Sequence, residues 1–210
     1  MRRTITVTGT ASARAVPDMV TLTLGVETRR ASAAEAYSDA GRAASAVAAG
    51  LRSAGVGDPE IRTSGLNLRA DLVWVEGQGQ KVTGYIASST LQVGIGSPAD
   101  AGSAVAAAVA AGGDDIRINA IEQGFADPSG VNAKAQEAAW SDALGRAQQY
   151  AQLAGARLGA VLSVSQEPGS GGPVPAGGLT RAYAVEAIPV EAGESTVSAS
   201  VTVQWELLAD

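Results

Sequence analysis

Along two stretches of this 210-residue chain, apolar and polar side chains alternate almost without interruption. Val20, Leu22, Leu24 and Val26 alternate with Thr21, Thr23, Gly25 and Glu27. Near the C-terminus, Val197, Ala199, Val201, Val203, Trp205 and Leu207 alternate with Ser198, Ser200, Thr202, Gln204 and Glu206. Successive side chains of a strand point to opposite faces, so a period of two puts one face in a core and the other in water. Strands of a fully parallel sheet are apolar throughout, so this pattern predicts antiparallel or mixed sheets with helices on one side. The predicted class is α+β.

Three helices fit between the strands. The first opens at Ser32-Ala33-Ala34-Glu35, a capping box, and runs through Tyr37, Ala40, Ala44, Val47 and Leu51 to Gly55. The second has Ser97 at its N-cap, Pro98 in first position and Asp100 in the first turn, and stops at Gly112. The third covers about Val131 to Ala154 and stops at Gly155. Each stop is an Ala-Gly pair from which the chain turns into a strand, at a spacing of about fifty residues. This predicts two related strand–helix–strand units, plus a third helix and a C-terminal strand, within one domain whose halves cover about 1–75 and 82–210. Aromatic residues are only 4% and alanine is the commonest residue, so the core is thin and the helices lie close to their sheet.

Two segments depart from this pattern. Leu66–Trp74 and Val82–Ile95 read as long strands joined by Glu76-Gly77-Gln78-Gly79-Gln80, a hairpin near 66–95 that projects beyond the core. Pro168–Gly178 (PGSGGPVPAGG) reads as a surface loop without regular structure.

The chain contains no histidine and no cysteine. Imidazole proton transfer, thiolate nucleophiles and Cys/His zinc sites are thereby excluded. The only lysines are Lys81, in the hairpin turn, and Lys134, in an exposed helical turn; neither setting activates a Ser–Lys pair. Gly94-Ile95-Gly96-Ser97-Pro98-Ala99 matches a dinucleotide fingerprint, with Asp114 and Asp115 about twenty residues on. The strand before it alternates, however, and Ser97-Pro98 is explained as a helix start. Glu186, Glu191 and Glu194 and the Asp114-Asp115 pair read as solvated turns rather than a carboxylate pair for hydrolysis, and Asp127-Pro128-Ser129-Gly130 as the start of a helix. No cofactor or metal ligand set is predicted. The net charge of −6 and the absence of any Lys/Arg run exclude a nucleic-acid footprint. No apolar stretch approaches the roughly 18 residues of a membrane span. Met1-Arg2-Arg3 leads into the strand-like Thr4–Gly9 without the apolar centre of a signal peptide.

Several stretches together resemble the SIMPL-domain family. They are Ile5–Ser12, Val16–Val20, Gly25–Thr28, Ile61–Ser64, Thr83–Val93, Phe125–Pro128 and Pro189–Val203, in order along nearly the whole chain. The resemblance implies an α+β fold and no established enzymatic activity or catalytic residues. It also implies a bacterial protein, commonly of the periplasm or cell envelope, sometimes associated with oxidative stress and sometimes assembled into ring-like homo-oligomers.

Trp140 and Trp205 are expected in a core or interface, whereas Trp74 on the hairpin is placed for an intermolecular contact. The leading expectation is a non-enzymatic, self-assembling structural or stress-associated protein, with Trp74, Val75, Val82 and Tyr85 as candidate oligomer contacts. The alternative is a binding module for a small ligand or an unidentified protein partner, using the Gly/Pro loop 168–178.

Overall fold

The computed structural model describes residues 3–166, 174–175 and 193–209. In chain order the elements are β1 (Arg3–Ala15), β2 (Met19–Arg30), α1 (Ala33–Ser53), β3 (Ile61–Val75), β4 (Gly79–Ile95), α2 (Pro98–Gly112), β5 (Ile116–Gly124), α3 (Ser129–Leu153), β6 (Ala156–Gln166), β7 (Val174–Pro175) and β8 (Ser195–Ala209). The fold is α+β, and every strand pairing described is antiparallel. The described residues divide into two compact units: Pro17–Gly124, and a second built from chain segments on either side of it.

In the unit Pro17–Gly124 the sheet order is β3-β4-β2-β5. The two strand–helix–strand units are β2–α1–β3 and β4–α2–β5, interleaved as in a split βαβ fold. The apolar side of β2 (Val20, Leu22, Leu24, Val26) meets Leu91, Val93 and Ile95 of β4 and Val47 and Leu51 of α1 in one buried cluster. Ser32 caps α1 as expected. The Ser32 hydroxyl accepts the Glu35 N–H at 3.3 Å and donates to the Glu35 carboxylate at 2.9 Å. Thr28, fully buried on β2, donates its hydroxyl to the Ala36 carbonyl at 2.7 Å and so ties the first turn of α1 to the sheet. Helices α1 and α2 touch where Gly50 faces Ala111; a Cβ on Gly50 would lie 2.9 Å from the Ala111 Cβ.

The Ala-Gly stops hold at Gly55 and Gly155, whose φ values of 95° and 60° are left-handed. The second stop shifts by one residue. Gly112 stays helical, and Gly113 takes the left-handed turn at φ 53°. Ser97 occupies the N-cap of α2 with extended backbone, yet its side chain makes no capping bond.

The other unit has the sheet order β1-β8-β6, with β7 beside β8. Thus Val174–Pro175, within the segment expected to lack regular structure, form a two-residue strand against Ser195 and Thr196. Helix α3 lays Val131, Ala135, Ala139, Ala143, Ala147 and Ala151 on this sheet, one buried residue every four. Trp205 and Val203 of β8 and Val7 of β1 complete the core, with Trp140 tilted at 57° to Trp205 and 6.2 Å from it. The close approach expected from alanine is seen at Gly9. A Cβ there would lie 2.7 Å from the Ala143 Cβ, and nearer still to the Ala139 carbonyl and the Ala143 nitrogen.

Helix α3 also closes the free edge of β1. The Thr10 N–H donates to the Asp142 carboxylate at 3.0 Å, and Arg146 donates to the Thr8 carbonyl at 3.3 Å. Asp142 and Arg146 are themselves paired at 3.2 Å. The Thr8 carbonyl and the Thr10 N–H, which would otherwise be open to another strand, are thus occupied.

Candidate functional site

Strands β3 and β4 form a longer hairpin than the alternation predicted. Its arms reach Ile61–Val75 and Gly79–Ile95, and the five-residue linker contracts to the turn 76–78. Gly77 and Gly79 make this possible at φ 75° and 77°, values that side-chain-bearing residues rarely adopt. Strand β2 pairs with β4 only as far as Arg30 opposite Tyr85. Beyond that point β3 and β4 continue as a two-stranded ribbon. The ribbon leaves the sheet at Gly84, which lies against the Arg30 carbonyl where a Cβ would come within 2.8 Å. The pairing slips there, from Asp71 opposite Gly84 to Leu72 opposite Val82, and Thr83 is the extra residue. The Thr83 hydroxyl donates to the Asp71 carbonyl at 3.1 Å.

Three of the four candidate contacts lie on this ribbon. Trp74 is 76% exposed and Val82 50% exposed. Trp74 sits opposite Gln80, Leu72 opposite Val82, and Val75 opposite Gly79. Paired residues share a face, so Leu72, Val82 and Trp74 form one apolar surface, and the half-buried Val75 lies on the other. Tyr85 is at the base instead, packed on Ala36, Ala40 and Ala87 beside α1. Sequence reasoning missed Leu66, Leu68 and Leu72 as site residues. Their alternation along β3 was visible, but it reads as a core-facing stripe until the position of α1 is known.

Between α1 and β3 lies a groove of about 530 Å3 lined by Tyr37, Ser38, Gly41, Arg42, Ser45, Leu66 and Ser89. At its α1 wall, Asp39 accepts from Arg42 and from the Arg30 Nε at 2.5 Å. Bonding to Arg42 first and Arg30 second holds the Asp39 carboxyl below its ordinary range. On the opposite face of the sheet, Arg29 pairs with Asp71, and Glu27 lies 4.0 Å from Arg69 and 3.9 Å from Arg117.

The glycine motif lines a separate cleft of about 310 Å3 with Gly55, Gly57, Glu60, Gly94, Gly96 and Asp100. Its two carboxylates have the wrong sign for a pyrophosphate. Asp114 is exposed on the turn before β5, and Glu194 is exposed before β8. Glu186 and Glu191 lie outside the described residues, as does the loop 168–178 apart from Val174–Pro175. Asp127 accepts the Ser129 N–H at 2.9 Å, which starts α3 and lowers its carboxyl pKa. Among the described residues no group of three or more acidic, His or Cys side chains is arranged to hold a metal, and no helix is long and apolar enough to cross a membrane.

Comparison with known proteins matches this chain to a family. A 26 kDa periplasmic immunogenic protein of Brucella melitensis is 30% identical over 97% of this chain and 84% of its own length. The uncharacterized protein YggE of Escherichia coli K12 is 29% identical over 94% of this chain and 78% of its own. YggE of Edwardsiella ictaluri is 31% identical over 86% of this chain and 73% of its own. The model of the SIMPL family, described as a protein of unknown function (DUF541), matches residues 5–205. Relatives and family model agree over nearly all of the chain, and it belongs to the SIMPL family.

Proposed function

We propose that this protein is a non-enzymatic, self-assembling structural component of the bacterial cell envelope, whose copies join through the β3–β4 hairpin. The observation that carries the reading is the ribbon end, where Leu72, Trp74 and Val82 stand 47%, 76% and 50% exposed on one face. Water-exposed apolar rows on a projecting hairpin are characteristic of contacts between proteins. The envelope location is supported by the relative named as a periplasmic protein. A role in stress tolerance, implied by the family resemblance, would be exerted through assembly, because a chain without cysteine carries no thiol peroxide chemistry.

The test is the solution mass by light scattering on a sizing column, for the intact chain and for Trp74→Ser combined with Val82→Thr. The reading expects a discrete multiple of 20.9 kDa for the intact chain and a shift toward 20.9 kDa for the variant. A monomeric intact chain, or an unchanged mass in the variant, refutes it.

A further inference from the structure

Strand β3 is an edge of its sheet, and among the described residues it pairs with β4 alone. It is fifteen residues long. The free edge of β1 in the other unit is taken up by Asp142 and Arg146; nothing comparable bonds along the outer side of β3 from Leu66 to Trp74 in the described residues. That stretch contains no proline or lysine, two of the residues with which proteins usually blunt an exposed edge.

The two faces of β3 differ. Leu68 and Ala70 lie opposite Ala87 and Tyr85, which pack against α1. Leu66, Leu68, Ala70, Leu72 and Trp74 therefore point to the helix side. Yet α1 stands over β2 and β4, so Leu66 and Leu68 remain 62% and 46% exposed. Arg69 and Asp71 point to the opposite face, where Arg29 and Glu27 are their neighbours.

From this we infer that β3 pairs antiparallel with β3 of a second copy about a two-fold axis at Ala70. The inference rests on the self-assembly reading above and supplies its register. Residues directly opposite each other share a face, so this register sets Leu66 against Trp74 of the second copy and Leu68 against its Leu72. On the other face it sets Arg69 against Asp71 of the second copy, a complementary pair formed twice. A four-residue slide in either direction centres the axis on Leu68 or Leu72 and moves Trp74 away from Leu66. A centre on Arg69 or Asp71 places a like-charged pair on the axis, which is destabilising. The Ala70 register alone opposes every exposed apolar residue of the stripe and matches both charges.

The backbone agrees. The Asp71 carbonyl points inward, to Thr83 of β4, so strand alternation turns the polar groups of Ala70 and Leu72 toward the free edge. Facing Ala70 residues then form a hydrogen-bonded pair with Cα atoms about 5.5 Å apart. The product is one sheet of twice the width continuous through both copies.

The chain contains no cysteine, so a single introduced thiol cross-links only to another copy. The full-length Ala70→Cys variant is oxidised with copper–phenanthroline and run on a non-reducing gel, beside Leu72→Cys, whose partner position is Leu68. About 5.5 Å suits a disulfide and four residues of offset do not, so Ala70→Cys should give roughly tenfold more covalent dimer than Leu72→Cys. A second arm mixes Leu68→Cys with Leu72→Cys after dissociation and reassembly; the mixture should cross-link and neither variant alone should. If light scattering finds an oligomer and both arms stay uncross-linked, the β3 pairing is overturned and self-assembly stands. If the intact chain is a monomer, both fall.

Discussion

Replacing Gly9 with alanine tests how closely α3 is seated on its sheet. The added methyl would lie 2.7 Å from the Ala143 Cβ and closer to backbone atoms of Ala139 and Ala143. Carbon atoms in ordinary contact are about 3.5–4.0 Å apart, so the helix must lift by about 1 Å. No rotamer relieves this, because the obstructing atoms are main chain and a Cβ. Overpacking of this kind costs about 3 kcal/mol, and alanine recovers up to about 1 kcal/mol by replacing glycine in a strand. The expected net loss is about 2 kcal/mol. With a urea slope near 2 kcal/mol per M, the unfolding midpoint falls by about 1 M. Trp140 and Trp205 both sit in this unit's core, so tryptophan emission in a Trp74→Phe background follows this unit alone. The control is Gly145→Ala on α3 itself, where an added Cβ meets nothing within 4 Å. There the midpoint should rise, because alanine favours a helix interior by about 1 kcal/mol. An unchanged or higher midpoint for Gly9→Ala refutes the argument that alanine and glycine set the helix–sheet spacing.

In the unit Pro17–Gly124, Thr28→Val removes a buried hydroxyl that donates to the Ala36 carbonyl while keeping side-chain volume, and should lower stability by about 1 kcal/mol, read from the urea midpoint. Asp39 titrates below its ordinary value of 3.8 because Arg42 and Arg30 bond its charged form. A depressed folded-state pKa contributes stability that is present above the unfolded value and lost as pH falls through the folded one. The stability difference between the parent and Asp39→Asn should therefore be largest near neutral pH and shrink below about pH 4; equal differences at neutral and acid pH would count against the ion-paired carboxylate.

Much of the fold was legible because it depends on local rules. The capping box at Ser32, the proline at the start of α2 and the glycines after α1 and α3 act within a few residues, and the structure places helix ends there. The shift from Gly112 to Gly113 was not legible. Gly112 is helical and lies tight against Val47 and Ile116, where an added Cβ would come within 2.9 Å, and that contact joins distant parts of the chain. For the same reason the hairpin's apolar end was read correctly as a strand pair, while Tyr85 was grouped with Trp74. Whether an alternating position is covered depends on where a helix lies, and α1 covers Tyr85 but not Leu66 or Leu68.

The alanine content connects the seating of the helices to the exposed edge. A helix that contacts its sheet through Ala36 and Ala40 sits low and presents a narrow face. Larger residues at these positions would hold α1 higher and spread it sideways over β3. With alanine, α1 lies low over β2 and β4, and the leucines of β3 are left beyond its margin. Strand alternation keeps those leucines apolar, since a β3 facing only water would have no reason to place Leu66, Leu68, Leu72 and Trp74 on one side. A side chain pattern that would suit a core, on an edge whose own helix does not reach it, is what the proposed pairing with a second β3 edge would cover, with Arg69 and Asp71 supplying the charges that would align the two.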